Sequence, residues 1–143
     1  MSAIGGVVTE RGGDTIECLV RTLAQELAAR GPDGGKTLAA PPCTMVFKEC
    51  KAVSSTASQQ PHIGAHGLVV TFDGRLDNRT ELLSHFSLAP DVSDVDIVCA
   101  AFELWREQCL SHLIGDYSLA AWDPRAKTVW LARDPFGTRP LYY

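Results

Sequence analysis

Strand-like and helix-like runs alternate in blocks along this chain, with no internal repeat or linker between them, and that order admits one layered α+β domain. Length agrees, because 143 residues are enough for one core and short of two. Ala3 to Thr9 is small, apolar and β-branched and runs into Arg11-Gly12-Gly13, which predicts a buried strand starting almost at residue 1. Asp14 and Glu17 form a capping box, Ile16, Leu19, Val20, Leu23 and Leu27 follow helical spacing, and Gly31-Pro32 stops the pattern, so a helix is predicted there. From Gly34 to Gln60 only short β-prone pieces stand out, Thr44 to Phe47 and Ala52 to Ser54, separated by Pro41-Pro42 and a Ser/Gln-rich stretch.

Leu68 to Phe72 is a fully apolar run bounded by Gly67 and by Asp73-Gly74, which reads as a strand followed by a turn. Asn78 is placed to cap a short helix over Thr80 to Phe86. Ser93 with Asp96 opens another helix, whose apolar face is Val98, Ala101, Phe102, Trp105 and Cys109. Tyr117 to Trp122 and Thr128 to Ala132 flank Asp123-Pro124-Arg125-Ala126-Lys127 and read as a hairpin, and Pro140 to Tyr143 begins a further strand that looks cut off.

Thirteen Lys+Arg against seventeen Asp+Glu give a net charge of -4, which is no footprint for nucleic acid or an anionic membrane. The apolar runs fall far short of the roughly 20 residues that span a bilayer, and the N-terminus has no basic segment leading into an apolar one, so a cytoplasmic protein is expected. Cys18, Cys43, Cys50, Cys99 and Cys109 are an odd number without a C-x-x-C pair, which favours reduced thiols over a disulfide framework or a zinc site. His62 and His66 are spaced H-x3-H, but Gly64 and Gly67 beside them argue against the helix that would align two ligands, so no metal is expected.

Four segments carry more than the pattern does: Met1 to Val8 (MSAIGGVV), Arg30-Gly31-Pro32-Asp33-Gly34, Asp73-Gly74-Arg75-Leu76-Asp77-Asn78, and the long closing run Leu131 to Tyr143 (LARDPFGTRPLYY). Together they resemble the N-terminal glutaminase domain of the asparagine synthetase family, the class II glutamine amidotransferases. The resemblance spans the chain and implies an N-terminal-nucleophile hydrolase-like αββα sandwich of two antiparallel sheets. It also implies further strands after Tyr143 and then an ATP-using synthetase domain, so residues 1–143 read as an amidotransferase domain truncated at its C-terminal end.

The resemblance further implies a cysteine at position 2, exposed by removal of the initiator methionine, acting as nucleophile with its own α-amine as base. Ser2 stands there; serine serves other N-terminal nucleophiles, but behind Met1 its nitrogen is a peptide amide and no base. The family's oxyanion motif resembles N-G-E, an asparagine amide and a glycine N–H donating to the oxyanion; here it is Asp73-Gly74-Arg75. Exchanging an amide donor for a carboxylate removes roughly 2.7–4 kcal/mol of transition-state stabilisation and adds like-charge repulsion. Aligned through Pro61, Glu49 falls where the family's arginine holds the glutamine carboxylate, and Arg75 takes the place of an acidic residue. Asp94 keeps its expected acidity, which also suits a helix N-terminus. Arg133-Asp134 reads as a structural clamp at a strand end. The family's nucleotide loop, S-G-G-x-D-S, is not matched, Gly12-Gly13-Asp14-Thr15 lacking its serines, so ATP and magnesium are expected only in a synthetase domain and no cofactor in this one.

Three readings follow. The first is the glutaminase-like domain of an asparagine-synthetase-related, amide-forming ligase that has lost glutamine hydrolysis and keeps a structural or docking role; residues 73 to 78 look like the lasso-peptide cyclase branch. The second is a working amidohydrolase with Ser2 as nucleophile, and the third an unrelated binding or assembly module. The expected partners are a synthetase domain or partner chain, and a second copy of this chain meeting it through the shortened sheet.

Overall fold

A computed structural model describes residues 1–9, 14–51 and 59–143. The first sheet contains β1 (Ala3–Val8), β2 (Gly35–Ala40) and β3 (Cys43–Lys48), antiparallel in the order β1-β3-β2. The second contains β4 (His62–Ile63), β5 (Val69–Leu76), β6 (Gly115–Asp123) and β7 (Thr128–Arg133), antiparallel in chain order. The helices are α1 (Asp14–Leu27), α2 (Arg79–Phe86) and α3 (Asp94–Trp105), with 3-10 turns at Ala65–Gly67 and Arg106–Ser111.

Two apolar layers join these parts, and the two-residue period of β5 sorts its side chains between them. Val69 points to the space between the sheets, where it packs with Cys43 and Met45 of β3 and Trp122 of β6. Val70, Phe72 and Leu76 point the other way, into a core shared with Val98 and Phe102 of α3, Leu82 of α2 and Leu119 of β6. On the far side of the first sheet α1 lies against β1, so closely that a Cβ on Gly5 would sit 2.8 Å from Leu27. The order α1, sheet, sheet, α2 with α3 is the αββα sandwich of the N-terminal-nucleophile hydrolases.

Several expectations are corrected here. β1 is an edge strand and only Ala3 in it is buried, Val8 being exposed, because β3 covers one edge and α1 one face. Leu19, placed on the apolar stripe of α1, faces outward, and the side-chain cap expected from Asp14 lies outside the described residues, as do Arg11-Gly12-Gly13 and Ala52 to Ser54. Pro41-Pro42 does not separate β-prone pieces but turns the β2–β3 hairpin, with Ala40 opposite Cys43.

Asp73-Gly74 is not a turn either. β5 runs on through it, with Asp73 opposite Ser118 and Gly74 opposite Tyr117. A Cβ at 74 would lie 2.2 Å from the Asp116 carbonyl oxygen, so the glycine serves the close approach of β6. Asn78 sits before α2 without capping it: its amide donates to the His112 carbonyl at 2.9 Å and accepts the Ile114 N–H at 3.1 Å. At α3 the expected box forms, Asp96 accepting the Ser93 N–H at 2.7 Å. Residues 140 to 143 form no strand, and Tyr142 and Tyr143 stand exposed.

Candidate active site

The sandwich opens at the end where β1 begins and where β3 and β5 finish, and a cavity of about 550 Å³ lies there. Its position follows from register: Ala3 pairs with Lys48, so Ser2 and Glu49 both lie just past that pair. On β5 the alternation that sends Val69 between the sheets sends Asp73 the same way, at the cavity end. Ser2, Glu49, Asp73, Gly74, Arg75 and Asp94, each singled out from sequence, all line this one cavity.

Their surroundings decide their chemistry. The Ser2 hydroxyl oxygen accepts the Cys50 N–H at 3.1 Å, while the Ser2 N–H is hydrogen-bonded to the Asp73 carboxylate. Burial pushes the Asp73 carboxyl above its ordinary value; the charges of Arg139 and Arg30, the amino terminus and the Ser2 N–H oppose this without cancelling it. Arg139 Nη1 lies 3.6 Å from Asp73 Oδ2. Arg75 does not present a free charge to the cavity: its guanidinium, largely exposed, is paired with Asp77 at 2.8 Å and Asp116 at 3.5 Å. Asp94 is likewise engaged, by Arg79 at 2.5 Å and by the Leu76 N–H at 3.1 Å.

Sequence reasoning passed over Gln60, Arg79 and Arg139, which also line the cavity. Gln60 is buried and acts as a short piece of strand, its amide donating to the Phe72 carbonyl at 3.0 Å and accepting the Phe72 N–H at 2.6 Å. The one signal for it was its place beside Pro61. Arg139 belongs to the closing motif, whose sequence signal is carried by Arg133-Asp134. The clamp there is made by Asp134 alone: its carboxylate accepts the N–H groups of Phe136, Thr138 and Arg139 and the Thr138 hydroxyl, whereas Arg133 is exposed, with its guanidinium beside Gly137.

Elsewhere, His62 pairs with Asp96 at 3.0 Å and His66 is exposed on the 3-10 turn. Among the described residues no cluster of three or more His, Cys, Asp or Glu could hold a metal ion, and no helix is long and apolar enough to cross a membrane. The five cysteines are free thiols, and burial pushes those of Cys99 and Cys109 up to about 12, the acids Glu103 and Glu107 adding to the effect.

Two antiparallel sheets between helices, with residue 2 at the start of an edge strand and facing an end cavity, define an N-terminal-nucleophile hydrolase-like domain. The family model of the glutamine amidotransferase domain matches residues 1–143, and the chain belongs to that family, as a class II domain of the asparagine synthetase type. It is 26% identical over 149 residues to asparagine synthetase (glutamine-hydrolyzing) 2 of Bacillus subtilis, covering 100% of this chain and 20% of that protein. It is 25% identical over 157 residues to a putative asparagine synthetase (glutamine-hydrolyzing) of Mycobacterium bovis, covering 99% and 24%. With asparagine synthetase (glutamine-hydrolyzing) 2 of Oryza sativa the identity is 28% over 123 residues, covering 84% and 21%. The chain thus spans a fifth to a quarter of the length of these relatives.

Proposed function

We propose that this is the glutaminase-like domain of an asparagine-synthetase-related ligase in which glutamine hydrolysis has been lost. The observation that carries the reading is Asp73. A buried carboxylate stands beside Ser2, where acyl transfer would develop a negative oxygen, and so it opposes the charge an oxyanion hole must stabilise. Ser2 supports it from the other side, since it stands where the family resemblance implies a cysteine, and a hydroxyl is a weaker nucleophile than a thiol. In a coupled assay the chain is expected to release no ammonia from glutamine above background. Turnover that disappears in Ser2→Ala would instead establish Ser2 as a working nucleophile.

On this reading the remaining role is structural, the domain docking on a synthetase domain or partner chain that binds ATP and magnesium. A ligase that closes a ring on an internal amine needs no ammonia, which is why the lasso-peptide cyclase branch, suggested by residues 73 to 78, is the favoured setting. The docking region is the side of β7, where Leu131, Phe136, Tyr142 and Tyr143 are exposed. Such a surface is expected to bring two copies together when the chain is alone, burial of apolar area being worth roughly 25 cal/mol per Å². Light scattering at tens of micromolar should report a dimer or larger species. A monodisperse monomer with cooperative thermal unfolding would refute self-association.

A further inference from the structure

Among the described residues, β5 reaches the cavity with no strand along one of its edges. On that side the ladder is short: His62 pairs with Val70 and Ile63 with Val69, and there β4 ends. Continued by two residues, the same register sets Gln60 opposite Phe72, and at that point a side chain takes over from the backbone. The Gln60 amide donates to the Phe72 carbonyl at 3.0 Å and accepts the Phe72 N–H at 2.6 Å, as a strand residue does with its own peptide groups. At the cavity end the Leu76 N–H is taken by the Asp94 carboxylate at 3.1 Å. Antiparallel pairing alternates, so Gly74, midway between Phe72 and Leu76, turns its N–H to the same edge. Tyr117, opposite Gly74 on β6, faces the other way, its carbonyl accepting the Asp134 N–H at 2.9 Å. Gly74 lines the cavity, and its N–H is the donor that the family resemblance assigns to an oxyanion.

We propose that Gln60 is a positioning residue, whose side-chain amide replaces the missing strand beside Phe72 and so keeps the Gly74 N–H aimed into the cavity. An edge without a partner is free to bend between Phe72 and Gly74, and glycine resists bending least. Gln60 is suited to prevent it. It is 6% exposed, so water competes little for its two bonds, and the low dielectric around them strengthens both. It is anchored through His62, whose backbone pairs with Val70 and whose ring meets Asp96 of α3 at 3.0 Å. A side-chain amide offers a donor and an acceptor in the arrangement of a peptide group, which a carboxylate or a hydroxyl does not. This role stands whether or not hydrolysis has been lost, because it concerns the backbone donor that remains beside Asp73.

Exchanging Gln60 for alanine and for glutamate separates the role from space filling. In Gln60→Ala, hydrogen exchange at the Phe72 amide should speed up by at least about tenfold and the Gly74 amide resonance should shift, with the amides of β7 unchanged. In Gln60→Glu the outcome should depend on pH. A protonated carboxyl donates to the Phe72 carbonyl and accepts its N–H as the amide does, whereas the ionised form has no donor and sets its second oxygen against that carbonyl. Burial and this repulsion raise the new carboxyl above about 4.3, the ordinary glutamate value. Both variants are compared in an Asp73→Asn background, so that residue 73 does not titrate. The Gly74 resonance of Gln60→Glu should then match that background at low pH and move to the Gln60→Ala position as pH rises. Glu49 and Asp94 titrate in every sample and drop out of the difference. Unchanged Phe72 exchange in Gln60→Ala, or a Gly74 resonance that does not follow the new carboxyl, would overturn the proposal. Should Gln60→Ala not fold, the titration of Gln60→Glu decides the matter alone. If Ser2→Cys with Asp73→Asn, freed of Met1, releases ammonia, adding Gln60→Ala should lower kcat by at least about tenfold and leave KM within about twofold; an equal kcat would overturn the role. A silent parent variant would count against the reading of Asp73, and the amide measurements then decide on Gln60.

Discussion

Replacing Asp134 with alanine should cost about 3–5 kcal/mol, a large part of the stability of a domain this size. Asp134 is 2% exposed and follows β7 directly. Its Oδ1 accepts the Phe136 N–H at 3.0 Å, the Thr138 N–H at 3.1 Å and the Thr138 hydroxyl at 3.0 Å, and its Oδ2 accepts the Arg139 N–H at 3.3 Å. Alanine leaves those donors without their acceptor in a turn that also needs Gly137 at φ 67, a left-handed conformation no other residue adopts as readily. Asparagine should be milder, about 2 kcal/mol, because one oxygen still accepts while the amide nitrogen opposes an N–H. Burial alone would push the Asp134 carboxyl up, but the hydrogen bonds from Thr138, Arg139 and Phe136 outweigh it and hold the group below its ordinary value. A carboxyl lowered on folding stabilises fully above its unfolded value, about 3.9, and loses that contribution as pH falls through the folded one. Urea unfolding followed by circular dichroism should therefore give a constant Asp134→Ala deficit from about pH 5 to 8 that shrinks below about pH 4. A deficit under about 1 kcal/mol at pH 7, or one unchanged into strong acid, would remove Asp134 from the list of residues that hold this end of the fold.

The parts of the fold legible in the sequence are those whose own side chains bury. The α3 face of Val98, Ala101 and Phe102 is buried as its spacing requires, and the β6–β7 hairpin turns where Asp123 accepts the N–H groups of Arg125 and Ala126 at 2.9 and 3.2 Å. What could not be read is what a partner imposes. β2, Gly-Lys-Thr-Leu-Ala-Ala, is an exposed edge with little apolar content, and it is a strand because β3 lies beside it. Asp73-Gly74 carries turn chemistry, yet eight consecutive pairings with β6 keep it extended. The site divides in the same way. Family resemblance placed Ser2, Glu49, Asp73, Gly74, Arg75 and Asp94 near one another, and the cavity joins them. Nothing local told that Arg75 would be tied to Asp116 across the sheet, that Arg79 would neutralise Asp94, or that Arg139, 66 positions beyond Asp73, would stand beside it, because each pairing is made by the tertiary fold.

Supplying a better nucleophile will not by itself restore hydrolysis. In Ser2→Cys a thiol replaces the hydroxyl that now accepts the Cys50 N–H, and removal of Met1 would free an α-amine as its base. The obstacle is one residue away in space. A tetrahedral intermediate formed on residue 2 places a negative oxygen near Asp73, whose buried carboxylate repels it when ionised. Asp73→Asn removes that charge and supplies an amide N–H in its place, on the same strand position and the same face. The single variant Ser2→Cys is thus expected to stay at background, whereas Ser2→Cys with Asp73→Asn should exceed it by about 10²–10³ in ammonia release, the range that one oxyanion donor contributes. Glu49 remains in both, so the comparison isolates the oxyanion position even if glutamine binds weakly. Mass spectrometry of the N-terminus must first show that Met1 has been removed from both variants, since an amide at residue 2 silences either one. Activity in Ser2→Cys alone would mean that Asp73 does not face the reacting carbonyl. A silent double variant with a free N-terminus and intact fold would move the loss of function from the oxyanion position to the substrate-binding part of the cavity, where Glu49 stands in place of the arginine that the family resemblance implies.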